Sequence, residues 1–164
     1  MKLGDLARPL AAAFVVCAQL GAVSAWAQDD IQHAQPLLRM EPLTIVTHRG
    51  AFRFRAEIAD TPRSEEIGLM YRPRLPADRG MLFEMGPPQE ADFWMKHCPT
   101  PLDMLFIAAD GRIIKIARNT TPYSEAGIDS GGLITGVLEL RGGRAAEIGA
   151  EVGDIVRHPY FQHG

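Results

Sequence analysis

What the sequence lacks sets its first limits. Only two cysteines occur, Cys17 and Cys98. Cys17 lies in an N-terminal apolar run that reads as an export signal, so the rest of the chain has one thiol and no internal disulfide. The fold must then stand on a hydrophobic core. Basic residues are not in excess, with 17 Lys and Arg against 20 Asp and Glu. That balance argues against nucleic acid, which favours a basic surface. No nucleotide-binding glycine pattern and no internal repeat is present. His48, His97, His158 and His163 show no metal-ligand spacing. No metal and no cofactor is expected.

The N-terminus points to a compartment. Lys2 and Arg8 precede an apolar stretch, Leu10 to Val23, which is short for the ~20 residues of a membrane span. Ala25-Trp26-Ala27 fits the small-x-small cleavage rule, so 1–27 reads as a cleaved signal peptide and Gln28 as the first mature residue. Cys17 follows Val16 rather than a small residue, so it is not a lipid anchor. The expected location is periplasmic or secreted, with membrane contact only during export. Removing Lys2, Asp5 and Arg8 leaves 137 residues with a formal charge of −4.

Residues 28–42 are polar and proline-bearing and read as a flexible leader. A single β domain is expected over 43–158 and a loose tail over 159–164. Leu43 to His48 and the alternating Phe52, Phe54, Ala56 and Ile58 predict a hairpin, with Arg53, Arg55 and Glu57 on its solvated face. Thr61-Pro62 with Glu65 and Glu66 predicts a helix start, and Pro73 its end. A strand is expected over Met81 to Met85, broken by Gly86-Pro87-Pro88 and resumed over Phe93 to His97. Asp110-Gly111 lies between two apolar runs and is the strongest hairpin signal in the chain. Both faces of Leu102 to Ala108 are apolar, so that strand is central. Arg118 to Gly132 is a long polar loop that could act as a lid. A further strand, Leu133 to Leu140, and a last one near Val156 complete a mainly β fold. The expectation is a compact β-sandwich or small barrel of about eight short strands with one or two short helices.

Several blocks resemble the family catalogued as domain of unknown function 192. They are Gly68-Leu69-Met70-Tyr71-Arg72, Leu75 to Phe83, Phe93-Trp94-Met95-Lys96 with Pro101-Leu102-Asp103-Met104, and Val137-Leu138-Glu139-Leu140 with the later Gly153-Asp154. They run in the family's order from about Phe52 to Val156. The resemblance implies a compact, mostly β domain, often behind an export signal, and no established activity. This chain departs at one place: the family usually carries Asn-Thr after the lysine, where His97-Cys98 stands here.

The candidate ligand-binding residues are Trp94, Lys96, Asp103, Arg112 and Glu139. Asp103 and Glu139 sit in apolar strands, where an isolated carboxylate must be solvated, paired or hydrogen-bonded. They are read either as structural locks or as a pocket floor. Strand alternation puts Trp94 and Lys96 on one face, as the rim of a ligand site or as core Trp and snorkelling Lys. Cys98 and His97 point apart on a strand, which argues against a thiol–base pair. Met81, Met85, Met95 and Met104 have the softness for copper but the alternation of a core. The expected function is a small-ligand-binding or accessory module, with an enzymatic role left open as an alternative. The alternatives are a hydrolase or transferase using Asp103 and Glu139 as acid and base, or an envelope protein that docks a partner.

Overall fold

Alternation builds the first hairpin as expected. In the computed structural model, which describes residues 31–162, strand β1 (Met40–Thr47) pairs antiparallel with β2 (Gly50–Ala59). The signal call (1–27), Gln28 to Asp30, and His163 and Gly164 lie outside the described residues. Thr61 then caps α1 (Pro62–Ile67): Ser64 N–H donates to Thr61 Oγ1, and Thr61 N–H donates back to Ser64 Oγ, with Pro62 in the first turn. The helix stops earlier than Pro73. Gly68 takes φ 48°, and a Cβ there would lie 3.1 Å from the Phe83 ring.

From α1 the chain returns to pair β3 (Arg79–Gln89) parallel with β2. The Gly86-Pro87-Pro88 break does not end this strand. The β3 register with β8 (Ile134–Arg141) shifts between Glu84 and Gln89, and the prolines fall in that irregular part, where no ladder donor is required. Next come β4 (Asp92–Phe93), β5 (Leu102–Ile107) and β6 (Ile113–Ala117), with Asp110-Gly111 turning the β5–β6 hairpin. The long loop holds β7 (Ile128–Asp129), which pairs only with β4. After β8 follow α2 (Arg144–Glu147), β9 (Ile155–Arg157) and a 3₁₀ turn at Pro159–Gln162.

Seven strands form one sheet in the order β6-β5-β8-β3-β2-β1-β9. It curls until its two edge strands meet. Ile113 N–H donates to Asp154 O at 2.9 Å, Val156 N–H to Gly111 O at 2.8 Å, and Arg112 bridges Ile155. The mainly β expectation holds, in its barrel form: a curled half-barrel of seven strands, with β4 and β7 as a separate pair, among the described residues.

Each face of the curl has its own core. Leu82, Leu105, Ile107, Leu138 and Leu140 point inward with Leu43, Ile45, Phe54 and Ile58, and Ala145, Ile148 and Phe161 close that side. Met81, Phe83, Met104, Phe106 and Val137 point outward, under Ile67, Leu69, Met70, Met95 and Cys98. All six residues of β5 are buried as a result. Each such Leu, Ile or Phe contributes roughly 1.5–3 kcal/mol.

Three local expectations change in three dimensions. Phe93 to His97 is not a strand beyond Phe93. Cys98 N–H donates to Met95 O, and His97 takes φ 57°, so the chain turns. The described part of the expected flexible leader is packed. Ile31 is buried, Gln35 Nε2 donates to Gly68 O at 2.9 Å, and Leu38 N–H donates to Glu57 Oε2 at 3.0 Å. The described tail is packed too, through buried Phe161 and Tyr160 Oη, which donates to Thr135 O at 2.8 Å.

Candidate functional site

The outer face of the sheet carries a cleft of about 350 Å³. Its floor follows from β8 alternation. Val137 and Glu139 face outward, and register sets Glu139 between Met81 of β3 and Met104 of β5. One wall is Ile67, Leu69 and Met70, at and after the end of α1. The other is Phe93, Trp94 and Cys98. Phe93 is held by edge-to-face contacts with Phe83 and Phe106, at centroid distances of 5.2 and 6.0 Å. Glu65, Glu66, Asp92 and Lys96 form the polar lining.

The walls are fastened to each other. Tyr71 and His97 both take positive φ, 59° and 57°. Tyr71 N–H donates to His97 O at 2.8 Å, and the two rings stack at 4.9 Å. Behind the second wall, Ser124 O accepts from Met95 N–H, and Cys98 O accepts from Tyr123 N–H. The long loop therefore buttresses the wall and does not line the cleft, so it is not placed as a lid.

Glu139 is 4% exposed, and no hydrogen bond or ion pair from a described residue reaches its carboxyl. Burial alone pushes its pKa up to about 8, so it is protonated at neutral pH. Burial, and secondarily the Glu139 charge, pushes the Cys98 thiol up to about 12. That thiol is no nucleophile near pH 7. Burial, then the Asp60 charge, also raises the Glu65 carboxyl. Trp94 is 48% exposed, with the Lys96 ammonium 5.3 Å from its ring centroid.

Trp94, Lys96 and Glu139 thus meet in one cleft, and Asp103 and Arg112 do not. Asp103 pairs in register with Leu140, the neighbour of Glu139, and so points to the inner face. There it is fully buried and accepts three backbone N–H bonds. Asn119 and Gly143 donate to Oδ1 at 2.7 and 3.1 Å, and Ala145 to Oδ2 at 2.7 Å. It ties β5 to the start of α2 and to the turn after β6, as a structural lock. Arg112 is exposed at the β5–β6 turn and donates to Gly153 O at 2.8 Å. An acid–base pair needs both carboxylates facing one cavity, and Asp103 and Glu139 face opposite sides of the sheet.

The α1 wall and Met85 also line the cleft, and sequence reasoning missed them. The β2-α1-β3 crossover that brings them over β8 leaves no local signal. The strand alternation predicts a solvated Glu57, and the structure corrects this. Glu57 is 4% exposed and is held by Arg72, with Nη2 to Oε2 at 3.0 Å. The Ile58-Ala59 run after it, apolar on both faces, is the signal that β2 is covered on both sides there. Among the described residues no three His, Cys, Asp or Glu side chains are grouped to hold a metal ion. Met81, Met95 and Met104 are fully buried core residues.

Known proteins agree with this architecture. A crystal structure of a protein of unknown function from Novosphingobium aromaticivorans DSM 12444 has 38% identity and a TM-score of 0.73, covering 76% of this chain and 91% of that one. A second, from Sinorhizobium meliloti 1021 and named as a candidate transcription regulator, has 39% identity and a TM-score of 0.72, covering 76% of this chain and 97% of that one. No curated protein matches the chain. The DUF192 model, described as Uncharacterized ACR, matches residues 44–158. With that match running from within β1 through β9, the chain belongs to the DUF192 family.

Proposed function

We propose that the chain is an exported small-ligand-binding module whose site is the outer cleft. One observation carries the reading: Glu139, a nearly buried carboxyl without a partner among the described residues, lines an otherwise largely apolar cavity. Leaving such a group unpaired costs about 1–3 kcal/mol, which a bound polar group recovers. The walls are pre-formed, with Phe93 locked between two rings and Met95 tied to the long loop. Little ordering entropy remains to oppose binding.

The periplasmic or secreted location rests on the signal-like segment 1–27. A nucleic-acid role has little chemical support, because among the described residues acids outnumber the one lysine in the cleft lining. Two measurements test the reading. Native mass spectrometry of the full chain expressed in an exporting host is expected to show a mature N-terminus at Gln28 and a retained small molecule. A bare mass that no small molecule shifts, together with an unchanged binding profile in Glu139→Leu, refutes the binding module. An intact Met1 in the cytoplasmic fraction refutes export.

A further inference from the structure

The chemistry of the lining goes further than ligand binding and, resting on that reading, points to a ligand class. Among the described residues, Glu65, Glu66, Asp92 and Glu139 line the cleft against Lys96 as the one basic side chain. Glu66 is paired outward with Arg63 at 3.0 Å. No described cation reaches Glu139. The walls that rise from it are apolar or aromatic: Met70 on one side, Phe93 and Trp94 on the other. Acid below, acid at the mouth and aromatic faces between are the arrangement that holds a positive charge on an apolar stem.

We propose that the cleft takes a compact organic cation, a protonated amine, with its ammonium hydrogen-bonded to Glu139 and its stem between Met70 and Phe93. The proton balance is explicit. In the empty cleft Glu139 is a neutral acid. As the ammonium arrives, the carboxyl gives its proton to solvent, and the buried pair is carboxylate and ammonium, neutral in sum. The other titratable groups around the cleft are Glu65 and Glu66 from α1, Asp92 from β4, and Lys96 and Cys98 from the turn. Cys98 stays a thiol, and the rim carboxylates add attraction. An anionic ligand meets repulsion from the rim. A neutral acceptor takes a hydrogen bond from the protonated acid and releases nothing.

Isothermal titration of the full chain with benzylammonium, benzyl alcohol and benzoate separates these cases. Titrations at pH 7 are run in two buffers of different ionisation enthalpy. Benzylammonium is expected to bind tightest and to release about nine-tenths of a proton per site, the fraction protonated for a group with pKa about 8. Glu139→Gln, a neutral isostere that leaves the core shape intact, is expected to weaken benzylammonium at least about ten-fold and to abolish proton release. Benzyl alcohol or benzoate binding as tightly as benzylammonium, or benzylammonium binding without proton release, overturns the cation assignment and leaves the cleft reading standing. If none of the three binds, the cleft reading falls with it.

Discussion

Glu139 makes a quantitative prediction about stability that needs no ligand. Its pKa rises from 4.5 to about 8 on folding, by burial. In the folded state it keeps its proton through neutral pH, while in the unfolded chain it loses that proton above pH 4.5. The unfolded state therefore binds fewer protons in this window, and stability falls as pH rises. The contribution is fully present below pH 4.5, declines by about 1.4 kcal/mol per pH unit, and is gone above pH 8. Summed over the window the loss is roughly 5 kcal/mol, an upper value because the group lines an open cleft that water can enter. Glu139→Gln cannot titrate and keeps the side-chain volume. Urea unfolding of both proteins at pH 5, 6, 7, 8 and 9 is the assay. The variant is expected to gain on the parent steadily from pH 5 to pH 8 and to hold a constant lead beyond it. With an m-value of about 1.5 kcal/mol/M, the full window corresponds to a midpoint separation of about 3 M. Parallel curves across pH 5–9 would show that Glu139 ionises freely in the folded protein, and the reasoning about the cleft floor would be refuted.

Other substitutions probe the rest of the frame. Asp103→Asn turns an amide donor toward backbone donors and is expected to cost about 2–4 kcal/mol in urea unfolding; a cost below about 0.5 kcal/mol counts against the lock. Cys98, with a thiol near pKa 12, is expected to react with iodoacetamide at pH 8 roughly a thousand-fold more slowly in the folded protein than in urea, and equal rates contradict its burial. Phe161→Ala is expected to lose about 3–5 kcal/mol, because the tail closes the inner core; a surface tail would lose almost nothing. Arg72→Met strands the Glu57 carboxylate and removes the donor to Gln35 O, so it is expected to cost about 3–5 kcal/mol and to speed amide exchange over Gln35 to Arg39; unchanged exchange there counts against this tie of the 35–39 segment.

Local chemistry was legible in the sequence, and distant register was not. The Asp110-Gly111 turn, the Thr61-Pro62 helix start and the Phe52–Ile58 alternation each act over a few residues, and each forms where expected. Glu139, Trp94 and Lys96 were recognisable as unusual polar or aromatic residues in apolar surroundings. Nothing local, however, distinguishes Asp103 from Glu139. Their difference is the register of β5 on β8, which sends one carboxylate inward and the other outward. The apparent strand at Phe93 to His97 has a related cause. Alternating burial survives the turn there, with Met95 buried and Trp94 exposed, so periodicity alone cannot detect it. The leader and tail are polar in composition, and their order comes from partners 20 or more positions away, such as Gly68 for Gln35 and Thr135 for Tyr160.

The Tyr71–His97 fastening bears on how the width of the cleft mouth is set. Two non-glycine residues in the left-handed region each carry roughly 1–2 kcal/mol of strain. Here those strains sit face to face, offset by one backbone bond and one ring stack. Asparagine, the residue usual in the family at position 97, adopts that backbone more easily and offers no ring to stack. Exchanging Asn and His therefore trades backbone ease against a rigid clasp between the two lips of the cleft, while β8 and its acid stay untouched. The gauge of the entrance and the acid at the bottom are therefore separately adjustable, the first through residue 97 and the second through β8.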